Sequence, residues 1–149
     1  SLRVYRTGDL EPLNIKTMPH PGFPTDMQPL MTVLLTLAKG TSIITEGIWE
    51  NRFRYVDELT RMGANIQVDG RVAVIEGVQE LLPAPMRAAD LRAGAALVVA
   101  ALAADGVSEV DEICHIERGY EDIVEKLRGL GADIKRVEKP AGVLRQAAL

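Results

Sequence analysis

The chain has 149 residues, 47% of them apolar and 26% charged, with a formal net charge of −4. That length supports an ordinary folded domain, and a 4% aromatic share means an aliphatic core of Leu, Ile, Val, Ala and Met. Lys and Arg are scattered among more numerous acids, which excludes a basic nucleic-acid surface; an arginine that matters here acts locally, on a small anion. The single cysteine, Cys114, cannot close an internal disulfide, which suits a reducing compartment. No signal-peptide pattern opens the sequence, and the most apolar run, 93–104, falls well short of the roughly 20 residues that cross a bilayer. A cytoplasmic chain with no membrane or nucleic-acid partner is expected.

In chain order, alternation predicts extended segments over 2–6 and 13–17, with a turn at Gly8-Asp9 and Pro12 between them. Pro19-His20-Pro21-Gly22-Phe23-Pro24 holds three prolines and must be a loop. From Asp26 the period changes: Met27, Leu30, Met31, Leu34, Leu35 and Ala38 recur at helical spacing, and Gly40 closes the helix. The β-branched run 41–45 reads as a strand. Residues 50–62 predict an amphipathic helix with Phe53, Val56 and Leu59 inward. Strands over 66–68 and 72–75 flank Asp69-Gly70, a short hairpin signal.

After a loop with Pro83 and Pro85 the order returns. Asp90 opens a helix to about Ala104, ended by Asp105-Gly106. Residues 107–113 alternate as a strand, and 119–130 predict a helix with Tyr120, Ile123, Leu127 and Leu130 on one face. A last strand is expected over 133–137, then a frayed tail from Lys139. The spacing from Gly40 to Arg52 and from Gly106 to Arg118 is twelve residues in each case, so Asp26 corresponds to Asp90 and Arg52 to Arg118. The units expected are 1–18 (the end of a preceding copy), 19–82, 83–138 and a tail, 139–149. The helix after Asp90 is apolar nearly all round, which places helices inside and sheets outside.

Each aspartate starts a helix, where the ordinary role is to cap orphan N–H groups. Two features point further. Asp26 follows a rigid proline loop, and Asp90 is followed by Arg92, a cation at the head of an apolar helix that needs an anionic partner or ligand. Arg52 and Arg118 lie in loops after strands, where binding residues concentrate; a surface salt bridge is the plain alternative. His20 and His115 show no partner, and structural or solvent roles are expected for both. Cys114 and His115, read as strand neighbours, point apart and form no nucleophile pair. Trp49 and Phe53 are expected in the core or a site wall. No phosphate loop, dinucleotide signature or metal cluster is present, so no cofactor or metal is expected.

The runs Pro21-Gly22-Phe23-Pro24-Thr25-Asp26, Glu50-Asn51-Arg52-Phe53, Asp90-Leu91-Arg92-Ala93 and His115-Ile116-Glu117-Arg118-Gly119-Tyr120-Glu121, with Lys126-Leu127-Arg128 and Leu130-Gly131-Ala132 after them, carry a resemblance. Over about 14–137 the chain resembles the UDP-N-acetylglucosamine enolpyruvyl transferases rather than their shikimate-pathway relatives. The resemblance implies an inside-out α/β barrel of repeated βαβαββ units, with helices inside and sheets outside. This chain would be the C-terminal third of an enzyme nearly three times its length.

It also implies transfer of the enolpyruvyl group of phosphoenolpyruvate to the 3-hydroxyl of UDP-N-acetylglucosamine, the first committed step of peptidoglycan synthesis. Residue by residue, Asp26 matches the proposed general base, and Ile48 a position whose backbone contacts the nucleotide sugar. Arg118 matches an arginine that holds phosphoenolpyruvate, Arg52 and Arg92 match site arginines, and Asp90 a second site aspartate. The family's catalytic cysteine, essential lysine and a further arginine have no match here, and Cys114 is not that cysteine. The implied partners are the two substrates and the remainder of the enzyme, and the isolated chain is expected to be inactive. Two alternatives are a stand-alone nucleotide-sugar-binding or scaffolding module, and self-association through uncovered core faces.

Overall fold

In the computed structural model, which describes residues 3–138, the first strand is β1 (Asn14–Lys16). A single 3-10 turn, Thr25–Met27, leads into α1 (Gln28–Leu35). Gly40 then takes a φ of 121°, open to a residue without Cβ, and turns the chain into β2 (Thr41–Thr45). α2 (Val56–Arg61) ends at Gly63, and the hairpin β3 (Asn65–Asp69) and β4 (Val72–Glu76) follows. The second half runs β5 (Pro85–Arg87), α3 (Leu91–Ala103), β6 (Glu109–Asp111), α4 (Cys114–Glu117) and α5 (Ile123–Gly129).

Four strands form one sheet in the order β1-β2-β4-β3, with β1 parallel to β2 and the other pairs antiparallel. A second sheet holds β5 and β6, also parallel. Helices α1 and α3 therefore each cross between two parallel strands, so the repeat seen in sequence has a structural counterpart. β1 lies within the stretch expected to end a preceding copy, yet its hydrogen bonds run to β2 of the following one.

Alternation places Ser42 and Ile44 of β2 on the same face as Ala73 and Ile75 of β4, and all four are buried. That face joins Leu35, Leu59 and Met62 and the small side chains Ala93, Ala96 and Ala100 of α3 in one aliphatic core. Gly94 lets α4 come close: a Cβ there would sit 2.7 Å from Ile116 Cγ1. The result is the mixed α/β architecture expected, with α1 and α3 packed together at the centre.

Several expected boundaries differ. Among described residues before β1 there is no strand, and Val4 and Tyr5 stand in solvent. Residues 50–55 are turn, not helix, because Asn51 takes a φ of 53° that interrupts helical geometry. Phe53, Val56 and Leu59 still point inward. The helix expected over 119–130 is shortened to α5, because Asp122 takes a left-handed φ of 46° and delays its start, and Leu130 is exposed; α4 lies before that span. Residues 133–137 form no strand; no neighbouring strand pairs with them among the described residues. β5 was not anticipated, since it begins on a proline, which is tolerated at the first position of a strand. The expected tail, 139–149, lies outside the described residues. No helix among the described residues is long and apolar enough to cross a membrane.

Candidate functional site

The proline loop folds back on the end of β1. Met18 N–H donates to the Phe23 carbonyl at 2.9 Å and Gly22 N–H to that of Pro19 at 2.8 Å, so the loop delivers Thr25 and Asp26 to the start of α1 in a defined place. Asp26 makes no side-chain cap bond. Its carboxylate is instead shared by two guanidinium groups: Arg52 Nη2 lies 3.2 Å from Oδ1 and Arg92 Nη2 3.0 Å from Oδ2. Arg52 comes from the turn opened by Asn51, and Arg92 from the first turn of α3. The partner that Arg92 required on sequence grounds is therefore Asp26, in the other copy of the repeat. Asp26 is half exposed, so the pairs add little to stability. Their consequence is a cluster of net charge +1 from three separate segments.

Beneath this cluster lie two buried polar arrangements. Tyr55 Oη donates to Gln28 Oε1 at 2.6 Å and lies 2.7 Å from Thr32 Oγ1. Gln28 is two residues after Asp26 and Tyr55 three after Arg52, so this bond ties together the segments that carry the ion pair. Burial raises the Tyr55 phenol above its ordinary pKa, which keeps it a neutral donor. Gln28 Nε2 and Arg52 Nε are buried without a hydrogen-bond partner among the described residues. Glu46, at the end of β2, is 1% exposed and accepts from Thr17, Thr25, Ile48 and Trp49. Burial alone would raise its carboxyl. The four hydrogen bonds outweigh that and hold it below the ordinary glutamate range.

Beside Asp26 is a mostly apolar concavity of about 420 Å³, lined by residues including Met18, His20, Pro24, Asp26 and Ile48. Asp26 and Ile48, singled out separately in the sequence, thus meet in one depression, together with His20, for which only a structural or solvent role was expected. Trp49, expected in the core or a site wall, is 57% exposed and does not line the depression.

The second copy does not repeat the arrangement. Asp90 is an N-cap, its Oδ1 accepting from Ala93 N–H at 2.8 Å. Arg118 caps the end of α4, exposed and without an ion pair among the described residues. It is nonetheless at the same end of α3 as Arg92: a Cβ on neighbouring Gly119 would sit 2.8 Å from Leu91 Cδ2. Cys114 and His115 occupy a helical turn, not a strand, so the alternation used to separate them does not apply. Cys114 is exposed, and its Sγ lies 3.7 Å from the Glu112 carbonyl oxygen. No group of three or more His, Cys, Asp or Glu able to hold a metal is present among the described residues.

Glu46, Gln28 and Tyr55 are the site residues that sequence reasoning passed over, and His20 was given a structural or solvent role. The only signal for Glu46 was a charge directly after a β-branched strand and before a glycine.

A fold of this kind, with carboxylate and guanidinium groups gathered beside an apolar depression, has clear relatives. The family model described as EPSP synthase (3-phosphoshikimate 1-carboxyvinyltransferase) matches residues 1–127, and the chain belongs to that family. Within it, the chain is similar to proteins named UDP-N-acetylglucosamine 1-carboxyvinyltransferase. That of Caldanaerobacter subterraneus, number 3, is 57% identical over 138 residues, covering 93% of this chain and 33% of the relative. That of Carboxydothermus hydrogenoformans, number 2, is 59% identical over 137 residues, covering 92% and 33%. The chain thus spans about a third of the length of these curated relatives.

Among solved structures, the enolpyruvyl transferase NikO from Streptomyces tendae superposes with a TM-score of 0.82 at 37% identity, over 91% of this chain and 31% of that one. EPSP synthase from Acinetobacter baumannii, at 24% identity and a TM-score of 0.61 over 85% and 29%, shares the fold.

Proposed function

We propose that this chain supplies part of the site of an enolpyruvyl transferase acting on phosphoenolpyruvate and UDP-N-acetylglucosamine, in the first committed step of peptidoglycan synthesis. The observation that carries the reading is the meeting of Asp26, Arg52 and Arg92 beside the depression that Asp26 shares with Ile48. Addition of a sugar hydroxyl to an enol ether carbon needs a base at the hydroxyl and cations for the phosphate and carboxylate of the partner. Asp26 is the base in this reading. Arg52 and Arg92 are planar forks suited to those anions, and Arg118, at the same end of α3 and without an ion pair among the described residues, is a further one.

The resting ion pairs fit that role. An incoming anion competes with Asp26 for the two guanidinium groups, and Asp26 is thereby released to accept a hydrogen bond from the hydroxyl. Asp90 orients the start of α3 through its cap, and the Ile48 backbone contacts the nucleotide sugar. The units are taken as 19–82 and 83–138; β1, which pairs with β2 as β5 pairs with β6, lies just before the first of them. The protein acts in the cytoplasm and without a cofactor.

No residue of the chain matches the family's catalytic cysteine or essential lysine, so the isolated 149-residue chain gives no turnover with both substrates; product formed by purified chain would overturn that reading. A second reading is a nucleotide-sugar-binding module without catalysis. It is favoured by the fact that three charged site residues converge within this chain alone. Submillimolar affinity for UDP-N-acetylglucosamine would support it. Self-association rests on the exposure of Leu34 on α1 and of Val99 and Leu102 on α3. Light scattering that shows monomer at every concentration removes it.

A further inference from the structure

Glu46 is the one fully buried carboxylate among the described residues, and no cation pairs with it there. Burying such a charge is costly, so its placement calls for more than filling space. Neutral donors surround it instead. Oε1 accepts from Thr17 Oγ1 at 2.6 Å, Ile48 N–H at 2.9 Å and Trp49 N–H at 3.2 Å, while Oε2 accepts from Thr25 Oγ1 at 2.9 Å. Thr17 Oγ1 in turn accepts from Gly47 N–H at 2.8 Å. The knot is tight, since a Cβ on Gly47 would fall 2.4 Å from the Thr17 carbonyl oxygen. Three segments therefore meet on one side chain: the end of β1, the residue just before Asp26, and the loop that carries Ile48.

We propose that Glu46 is a positioning residue of the candidate site, one that sets the separation between the Asp26 carboxylate and the Ile48 backbone. This rests on the nucleotide-sugar reading above, in which one ligand must reach both groups. The chemistry explains why glutamate is needed. Glutamine has the same shape but a single acceptor oxygen. It can keep the Ile48 and Trp49 bonds at that oxygen, but its amide nitrogen cannot accept from Thr25. That nitrogen can only donate to the Thr25 hydroxyl, so on the arm that reaches Asp26 a charge-assisted bond is replaced by a weaker one of reversed direction.

The test compares wild type with Glu46→Gln, Thr25→Val and Thr25→Ser by amide resonances and by titration with UDP-N-acetylglucosamine. Glu46→Gln is expected to displace the amide signals of Thr25, Asp26, Ile48 and Trp49 while those of β3 and β4 stay in place. Its affinity for the nucleotide sugar falls about tenfold, the scale of one charge-assisted hydrogen bond. Thr25→Val reproduces the Asp26 displacement and the weakened binding, and Thr25→Ser, which keeps the hydroxyl, restores both. Unmoved Asp26 signals in Glu46→Gln, or wild-type affinity in Thr25→Val, overturn the proposal. If Glu46→Gln does not fold, the threonine pair decides it. If no protein binds the nucleotide sugar but the amide displacements appear as stated, the ligand reading fails and the positioning role stands.

Discussion

The Arg92 guanidinium, at the head of α3, lies 3.0 Å from the carboxylate of Asp26, at the head of α1. The two residues belong to different copies of the repeat, so this ion pair crosses between them and makes the site asymmetric. Their counterparts are separated in role: Asp90 caps a helix and Arg118 has no ion pair among the described residues.

Replacing Arg92 by alanine should separate stability from ligand binding. A solvent-screened pair of this kind contributes about 0.2–1 kcal/mol, so the thermal midpoint should barely move. Binding of phosphoenolpyruvate should be lost, and lysine should not restore it, because a point charge lacks the planar fork. Calorimetry of unfolding and of ligand titration on the same preparation checks both halves.

Tyr55→Phe should act in the opposite way. It removes the donor to Gln28 Oε1 and leaves that buried amide with neither of its polar atoms satisfied. The expected loss is about 1–3 kcal/mol of folding stability. Urea unfolding reads it directly, and an unchanged midpoint would show that the Gln28–Tyr55 bond does not hold α1 to the Arg52 segment.

Two glycines make a matched pair. A Cβ at Gly77 would lie 1.6 Å from the Ala38 carbonyl oxygen, and one at Gly47 2.4 Å from that of Thr17. Both are backbone contacts that cannot rotate away. Gly77→Ala should destabilise the chain while leaving residual folded protein with an intact site. Gly47→Ala should in addition shift the Ile48 and Trp49 amide signals. Amide spectra of the two variants, recorded under conditions where each is folded, distinguish them.

Glu46 also predicts a pH dependence. Its folded pKa lies below the ordinary value of 4.5, so the stability it contributes is fully present above that value. It is lost as pH falls from there through the lowered folded value. The stability difference between wild type and Glu46→Gln should thus be constant near neutrality and shrink in acid. Urea midpoints measured across that range check the sign; a difference that grew in acid would contradict it.

Much of this was legible in the sequence because the signals are local. The run 41–45, the Asp69-Gly70 hairpin and the all-apolar stretch after Asp90 became β2, β3–β4 and α3. The repeat also pointed to Asp26 and Arg52, and the apolar helix after Asp90 to Arg92, before any geometry was known. What could not be read depends on partners distant in sequence. Residues 133–137 read as a strand but have no strand to pair with among the described residues, and Asn51 breaks a pattern that periodicity alone would continue. On α1 the apolar spacing marked Met27 and Leu34, yet both are exposed. The buried side holds Gln28 and Thr32, which Tyr55, 27 and 23 residues away, makes tolerable by hydrogen bonding. Glu46 reads as a surface charge until its four donors are seen around it.

The most direct test of the account is to map UDP-N-acetylglucosamine and phosphoenolpyruvate onto the 149-residue chain by amide resonance. The account predicts saturable displacements at Asp26, Ile48, Trp49, Arg52 and Arg92, with the rest of the spectrum in place. No displacement at millimolar ligand, or displacements centred instead on the groove lined by Arg6, Asp9, Lys39 and Gln79, would contradict it.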